Sequence, residues 1–189
     1  MQLDRLTVKS SVDITGRLVR LRALRPEDAA DIARNVADPE VVRFLDNWAW
    51  RPYSAADALD FVNRHDPSEM RWAIDRGEGG HFIGVTGLRD LDFRNRHCDW
   101  GIWIGPADNW GRGYGTEACR LATRFAFRQL GMEKVYLSVY EGNQRGRRAY
   151  EKAGYRLEGT LPRDTWHDGG MITSHLMAAY RDDPLYSDP

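Results

Sequence analysis

One α+β domain built around a mixed sheet is the fold class this sequence predicts, and three observations predict it. Period-two apolar runs separated by turn material fill much of the first half, the pattern of an antiparallel meander. After Gly105-Pro106 the pattern changes to alternating helix and strand signals. No internal repeat and no linker rich in Gly, Ser or Pro divides the 189 residues, a length that closes one core without staples.

The elements follow in order. Residues 1–17 read as an N-terminal arm or edge strand, 18–180 as a single domain and 181–189 as a frayed tail. Val19, Leu21 and Ala23 alternate with Arg20 and Arg22, a strand signature. Pro26-Glu27-Asp28 opens a helix with Ala29, Ile32, Ala33 and Val36 on one face, because the first amides of a helix need no proline donor and favour nearby acids. Asp38-Pro39 stops it. Phe44, Trp48, Trp50 and Tyr53 then crowd around Asp46 and Asn47, and Ser54 with Asp57 forms a capping box for a helix carrying Ala58, Leu59, Phe61 and Val62. Strands are predicted over 71–75, 81–90 and 98–104, a helix over 113–130 ended by Gly131, and a strand through Val135, Leu137 and Val139. A short helix over 143–152 stops at Gly154, and strands over 155–161 and 171–179 are joined through the turn His167-Asp168-Gly169-Gly170.

Composition excludes several function classes. Hydrophobic residues make up 42% and charged residues 29%, a globular mixture. Lys and Arg total 27 against 28 Asp and Glu, so a net charge of -1 offers no attraction to a polyanion, and no direct nucleic-acid binding is expected. Cys98 and Cys119 make no disulfide framework and match a reducing compartment. The start lacks the apolar core of a secretory signal, and no apolar run approaches the roughly 18 residues of a bilayer span. A cytoplasmic protein without membrane contact is therefore expected. His65, His81, His97, His167 and His175 show no metal-ligand spacing, and Cys98 beside His97 points to the other strand face, so no metal site is predicted.

The most informative segment is Trp103-Ile104-Gly105-Pro106-Ala107-Asp108-Asn109-Trp110-Gly111-Arg112-Gly113-Tyr114-Gly115-Thr116-Glu117-Ala118. Glycines at alternate positions between a strand and a long helix let backbone amides approach an anion, to which the helix start adds partial positive charge. It is neither a mononucleotide P-loop, since no Lys-Ser/Thr follows, nor the dinucleotide fingerprint. The alternative is that the glycines only ease a tight connection.

A second run, Asn143-Gln144-Arg145-Gly146-Arg147-Arg148-Ala149-Tyr150-Glu151-Lys152-Ala153-Gly154-Tyr155, follows the next strand. Together the two segments resemble the signature of the GCN5-related N-acetyltransferase (GNAT) superfamily. From about residue 18 to residue 179 the chain resembles the branch that contains ribosomal-protein alanine N-acetyltransferases and spermidine acetyltransferases, a likeness also carried by residues 21–29, Leu-Arg-Ala-Leu-Arg-Pro-Glu-Asp-Ala. The resemblance implies a mixed, mostly antiparallel sheet with helices on both faces and a splayed central strand pair. It also implies acetyl transfer from acetyl-CoA to a primary amine by direct attack on the thioester.

Carried over residue by residue, the resemblance makes Gly111, Arg112, Gly113, Tyr114, Gly115 and Thr116 the pyrophosphate cradle. Trp110 stands where such motifs usually begin with Gln or Arg, a departure expected to matter little for backbone contacts. Main-chain groups of Trp103 and Ile104 would pair with the pantetheine arm, leaving their side chains free to vary. Asn143 is expected at the helix start, capping it or bonding the cofactor near the pantetheine. Among Arg145, Arg147 and Arg148, Arg145 and Arg148 are the candidates for the cofactor's 3'-phosphate, the alternative being a solvated charged face.

The expelled thiolate needs a proton and the attacking amine must lose one. The resemblance places the acid at Tyr150, whose alternative is core packing, and a base on strand 98–104 at Asp99, which shares a face with Gly101 and Trp103. Asp99 is read as a base or water relay, an ammonium anchor, or a strand residue. Trp48, Trp50, Tyr53 and Trp166, with Asp46, Asp164 and Asp168, are the candidates for an acceptor pocket in which rings cover aliphatic carbon and carboxylates meet an ammonium; packing is the alternative. A protein N-terminus ranks first as acceptor, ahead of a polyamine, amino sugar or antibiotic amine, and a non-catalytic acyl-CoA-binding role ranks last. A homodimer is consistent with the family.

Overall fold

The computed structural model describes residues 13–45, 52–77 and 79–187. Among these residues, eight strands form one sheet in the order β1-β2-β3-β4-β5-β6-β8-β7. The strands are β1 (Ile14–Thr15), β2 (Val19–Arg22), β3 (Met70–Arg76), β4 (His81–Asp92), β5 (His97–Ile104), β6 (Lys134–Tyr140), β7 (Arg156–His167) and β8 (Gly170–Tyr180). The helices are α1 (Asp28–Val36), α2 (Pro39–Val42), α3 (Ala55–Asn63), α4 (Tyr114–Arg128) and α5 (Gln144–Lys152).

The predicted meander is β3-β4-β5, antiparallel throughout. Only β5 and β6 run parallel, because α4 carries the chain back across the sheet between them. Their pairing stops after His97↔Lys134, Cys98↔Val135 and Asp99↔Tyr136. Each strand is held on its other side, β5 by β4 as far as Ile104 and β6 by β8 along its whole length. The two strands therefore part with rigid walls, as the family resemblance implied.

Helices cover both faces. The apolar stripe of α4, Ala118, Cys119, Ala122, Phe125 and Ala126, packs with Leu21, Ile74, Trp100, Val135 and Met177. On the other face α1, α2 and α3 bury Ile32, Val36, Val41 and Ala58 against Val85 and Trp103. The glycine turn enters α4 between these layers, with Glu117 accepting the amides of Arg17, Leu18 and Val19 at 3.0, 2.6 and 2.8 Å and so tying β2 to the helix.

Four local readings need correction. Asp38-Pro39 ends α1 but also starts α2, with Asp38 accepting Glu40 N at 2.9 Å and proline at the tolerated first position. Arg22, read as one of the polar residues alternating along its strand, is buried between Asp28 at 2.8 Å and Asp75 at 2.6 Å. The hydrogen bond to Asp28 above all holds its proton more tightly than usual, against the effect of burial. Loss of one partner from such a group costs about 3–5 kcal/mol. The strand expected to end at Leu161 continues to His167 by slipping register twice, around Gly159 and between Leu161 and Thr165; an edge strand tolerates Pro162 at such an irregularity. As far as residue 187 the C-terminal segment is docked rather than frayed: Tyr186 is 4% exposed, packs edge-on to Phe127 at 5.1 Å and donates its hydroxyl to Ala153 O.

Candidate active site

The parting of β5 and β6 leaves two cavities that meet in the middle of the sheet. One, about 380 Å³, lies over the glycine turn and α5; the other, about 660 Å³, lies over the face covered by α1–α3. Phe44, Leu45, Ile102, Trp103, Asn143 and Tyr150 line both.

The smaller cavity is built mainly from two stretches of chain, the glycine turn after β5 and α5. After β5 a short 3-10 turn, Ala107–Asn109, leads through Trp110 to Gly111 and Gly113, whose φ angles are 73° and 87°. This left-handed backbone, rather than lack of room, is what demands glycine at 111: a Cβ there would meet nothing within 4 Å. No side chain caps α4 at Gly113, and Glu117 N makes the first bond back to it, on Gly113 O at 3.0 Å. The amides ahead of Glu117 are the orphan donors of a helix start, backed by its positive end, and the residues that carry them, Tyr114, Gly115 and Thr116, line the cavity. This donor set fits a diphosphate.

The opposite wall is α5. Asn143 caps it, accepting Gly146 N at 3.0 Å. The three arginines differ: Arg145 stacks on Trp110, Arg147 pairs with Glu151 at 3.0 Å, and Arg148 lines the cavity. Arg112 turns back to Asp108 O, its Nε donating at 2.8 Å.

Tyr150 stands where the cavities join, its ring edge-on to Trp100 at 5.4 Å. Burial above all raises the pKa of its phenol, so the proton stays on oxygen across the physiological range. One expectation for the neighbouring strand needs correction. The Trp103 side chain is not free to vary, being 7% exposed and packed edge-on to Phe82 at 5.9 Å. The Ile104 carbonyl already accepts the Trp110 indole N–H at 2.6 Å.

The larger cavity is assembled from distant segments. Its floor carries Gly87, Arg89, Asp99, Gly101 and Trp103. Asp99 pairs with Arg89, its register partner on β4, through Oδ2 at 2.5 Å. Arg89 lies over Gly101, where a Cβ would come within 3.1 Å of its guanidinium. One wall holds Tyr53, then Asp57, Asp60 and Phe61 of α3, and Arg64 just after it; beside it Glu69 pairs with Arg64 at 3.0 Å. Arg71 lies over the Phe61 ring at 4.5 Å and donates to Phe61 O at 2.5 Å. Phe44 closes one side, stacked on His167 at 5.3 Å, while Arg43 bonds Asp168 at 3.0 Å.

Residues 18–156 match the acetyltransferase (GNAT) domain family. The chain belongs to this family. It is accordingly an acetyl-CoA-dependent N-acetyltransferase. Among curated relatives, the spermidine N(1)-acetyltransferase of Escherichia coli (strain K12) is 29% identical over 86% of each chain. An uncharacterized N-acetyltransferase of Bacillus subtilis (strain 168), YoaA, is 26% identical over 82% of this chain and 88% of its own. The fold matches the crystal structure of a spermidine N-acetyltransferase from Vibrio cholerae in complex with CoA and spermine, with a TM-score of 0.78, 24% identity and coverage of 90% of this chain and 98% of that one.

In this acetyltransferase the structure gathers most of the residues singled out from sequence. Gly111, Gly113, Tyr114, Gly115, Thr116, Asn143, Arg145 and Arg148 line the smaller cavity, Tyr53 and Asp99 the larger, and Trp103 and Tyr150 both. Trp166 is not brought in: it sits on the β7–β8 hairpin, 69% exposed and outside both linings. Trp48, Trp50 and Asp46 lie outside the described residues. Arg89 was missed, since strand register alone brings it to Asp99; the helix that carries Asp60 and Phe61 was marked by its Ser54–Asp57 capping box, but those two residues were not singled out for the pocket. Burial pushes the thiols of Cys98 and Cys119 up to about 12, which suits packing rather than nucleophilic chemistry. No group of His, Cys, Asp and Glu among the described residues is arranged to hold a metal ion.

Proposed function

We propose that this acetyltransferase acetylates a primary amine of a polyamine or similar small aliphatic amine. The observation that carries the reading is the larger cavity: it opens onto the gap between β5 and β6 and is lined by the acidic residues Asp60 and Asp99 among Phe44, Tyr53 and Phe61, with Asp57 capping α3 beside them. Rings cover methylene carbons and carboxylates meet ammonium groups. The spermidine-acetylating relative favours the same acceptor class, so a protein N-terminus, first in the reading of the sequence, takes second place.

Acetyl-CoA lies with its diphosphate on the amides of the glycine turn and its thioester between the parted strands, supplying the activated acetyl group. The ammonium of the acceptor gives one proton to Asp99, directly or through water, with Arg89 orienting the carboxylate. The neutral amine attacks the carbonyl carbon, the C–N bond forms and the C–S bond breaks. Tyr150 gives its proton to the departing sulfur, and the second nitrogen proton, released as the amide forms, returns to the phenolate through solvent.

Thiol release from acetyl-CoA, measured with a panel of diamines, polyamines, amino sugars and short peptides, tests the assignment. The expected result is the highest kcat/KM with a polyamine. A peptide amine preferred over every small amine overturns it.

A further inference from the structure

We propose that Trp110 is a positioning residue for cofactor binding, its indole fixing the Arg145 guanidinium against the diphosphate of acetyl-CoA. This inference rests on the assignment of the smaller cavity to acetyl-CoA. Trp110 directly precedes Gly111, the first glycine of the turn. The indole N–H is bonded to Ile104 O at 2.6 Å, which anchors the ring to the end of β5. The guanidinium carbon of Arg145 sits 3.3 Å from the ring centroid, well inside the roughly 6 Å at which a cation over an aromatic face is attracted.

Stacking uses the face of the guanidinium and leaves its N–H groups in the plane, where they match paired phosphate oxygens. No carboxylate of the described residues forms an ion pair with Arg145, in contrast to Arg147, which Glu151 holds. The platform adjoins the cradle, so the stacked cation faces the diphosphate. Arg148 and Lys152 line the same cavity further along α5 and are left for the outlying 3'-phosphate.

Calorimetric dissociation constants for CoA and dephospho-CoA, on folded variants checked by thermal melting, test the idea. Arg145→Ala should weaken both ligands about tenfold or more, as for hydrogen bonds to a charged group. Trp110→Leu should weaken them about threefold to tenfold, and adding it to Arg145→Ala should cost less than a further twofold. Trp110→Phe, which keeps a stacking face without the N–H, should recover most of the loss. Arg145→Lys, which keeps charge without the planar fork and does not depend on the stability of the Trp110 variants, should fall nearly as far as Arg145→Ala.

Additive losses in the double variant, wild-type binding by Arg145→Lys, or Trp110→Phe as weak as Trp110→Leu would each overturn the positioning role. A loss seen with CoA but not with dephospho-CoA would overturn the diphosphate assignment. Gly113→Val separates the two levels. If it abolishes binding while Arg145→Ala has no effect, only this inference fails; if CoA binds the folded Gly113→Val protein normally, the cofactor site itself is misassigned.

Discussion

The two cavities that meet at Tyr150 are built on opposite principles. The proposed cofactor side comes mainly from two short contiguous stretches, residues 102–116 and 143–152, closed by Val41, Phe44 and Leu45, and its proposed working groups are largely backbone amides and a helix end. The acceptor side draws on β3, β4, β5, β6, α3 and the segment around Phe44, and its working groups are side chains, several already held by opposite charges. The first suits a ligand with constant chemistry, because amides keep their direction whatever side chains do. The second changes its charge pattern with single substitutions, as an amine-selective cleft requires.

If the contrast is right, backbone shape should dominate on one side and individual charges on the other. Gly113→Val forces a β-branched residue to φ 87° and brings a Cβ within 3.3 Å of Leu18. CoA affinity should fall about a hundredfold or more while the protein still melts cooperatively, and titration calorimetry with a melting curve checks both.

At the junction, Tyr150→Phe keeps the packing on Trp100 and removes the proton donor. A loss of about 10²-fold in kcat with little change in CoA affinity is expected, read by steady-state kinetics and calorimetry. The phenol pKa is raised by burial, so the donor form is fully present below its ordinary value of 10 and is lost only above that. Wild-type kcat/KM for the amine should therefore rise with pH as the neutral nucleophile accumulates, with no fall due to Tyr150 before about pH 10.

On the acceptor side, Asp99→Asn should depress kcat/KM about tenfold at pH 7 and recover as pH approaches the amine's own pKa, where solvent supplies the neutral amine. An unchanged pH profile with only a raised KM makes Asp99 an anchor rather than a base. The smallest effect is expected from Asp60→Asn, an exposed carboxylate on α3: about a threefold rise in polyamine KM and none for a short monoamine, within the range of one surface charge. An equal change for both amines would remove α3 from the recognition of a second ammonium group.

How far the sequence carries differs between the sides for the same reason. The glycine turn and the Asn143 cap are legible because each depends on neighbours along the chain: a left-handed backbone calls for glycine, and a helix start calls for a side-chain acceptor; Tyr150 was marked by the family resemblance alone. The aromatic residues near 50 and Trp166 were drawn into one pocket by their chemistry alone. Trp166 lies elsewhere, because strand β7 passes Pro162 and carries it out along the hairpin.

Trp110 illustrates the limit. As a letter in a motif it is a departure of no consequence; in space it holds the Ile104 carbonyl and the Arg145 guanidinium.

By itself, then, the sequence determined the α+β class and the glycine-rich start of α4, which rest on local backbone preference and contiguous residues, while the splayed acetyltransferase sheet and the candidate acid came through its family motifs. Only the tertiary structure decided that Asp99 meets Arg89, that Arg22 is buried between two carboxylates and that Trp110 carries Arg145. Those contacts join different secondary-structure elements, and they are set by strand register and by how each element packs on its neighbours, quantities that the residue pattern of any one element does not contain.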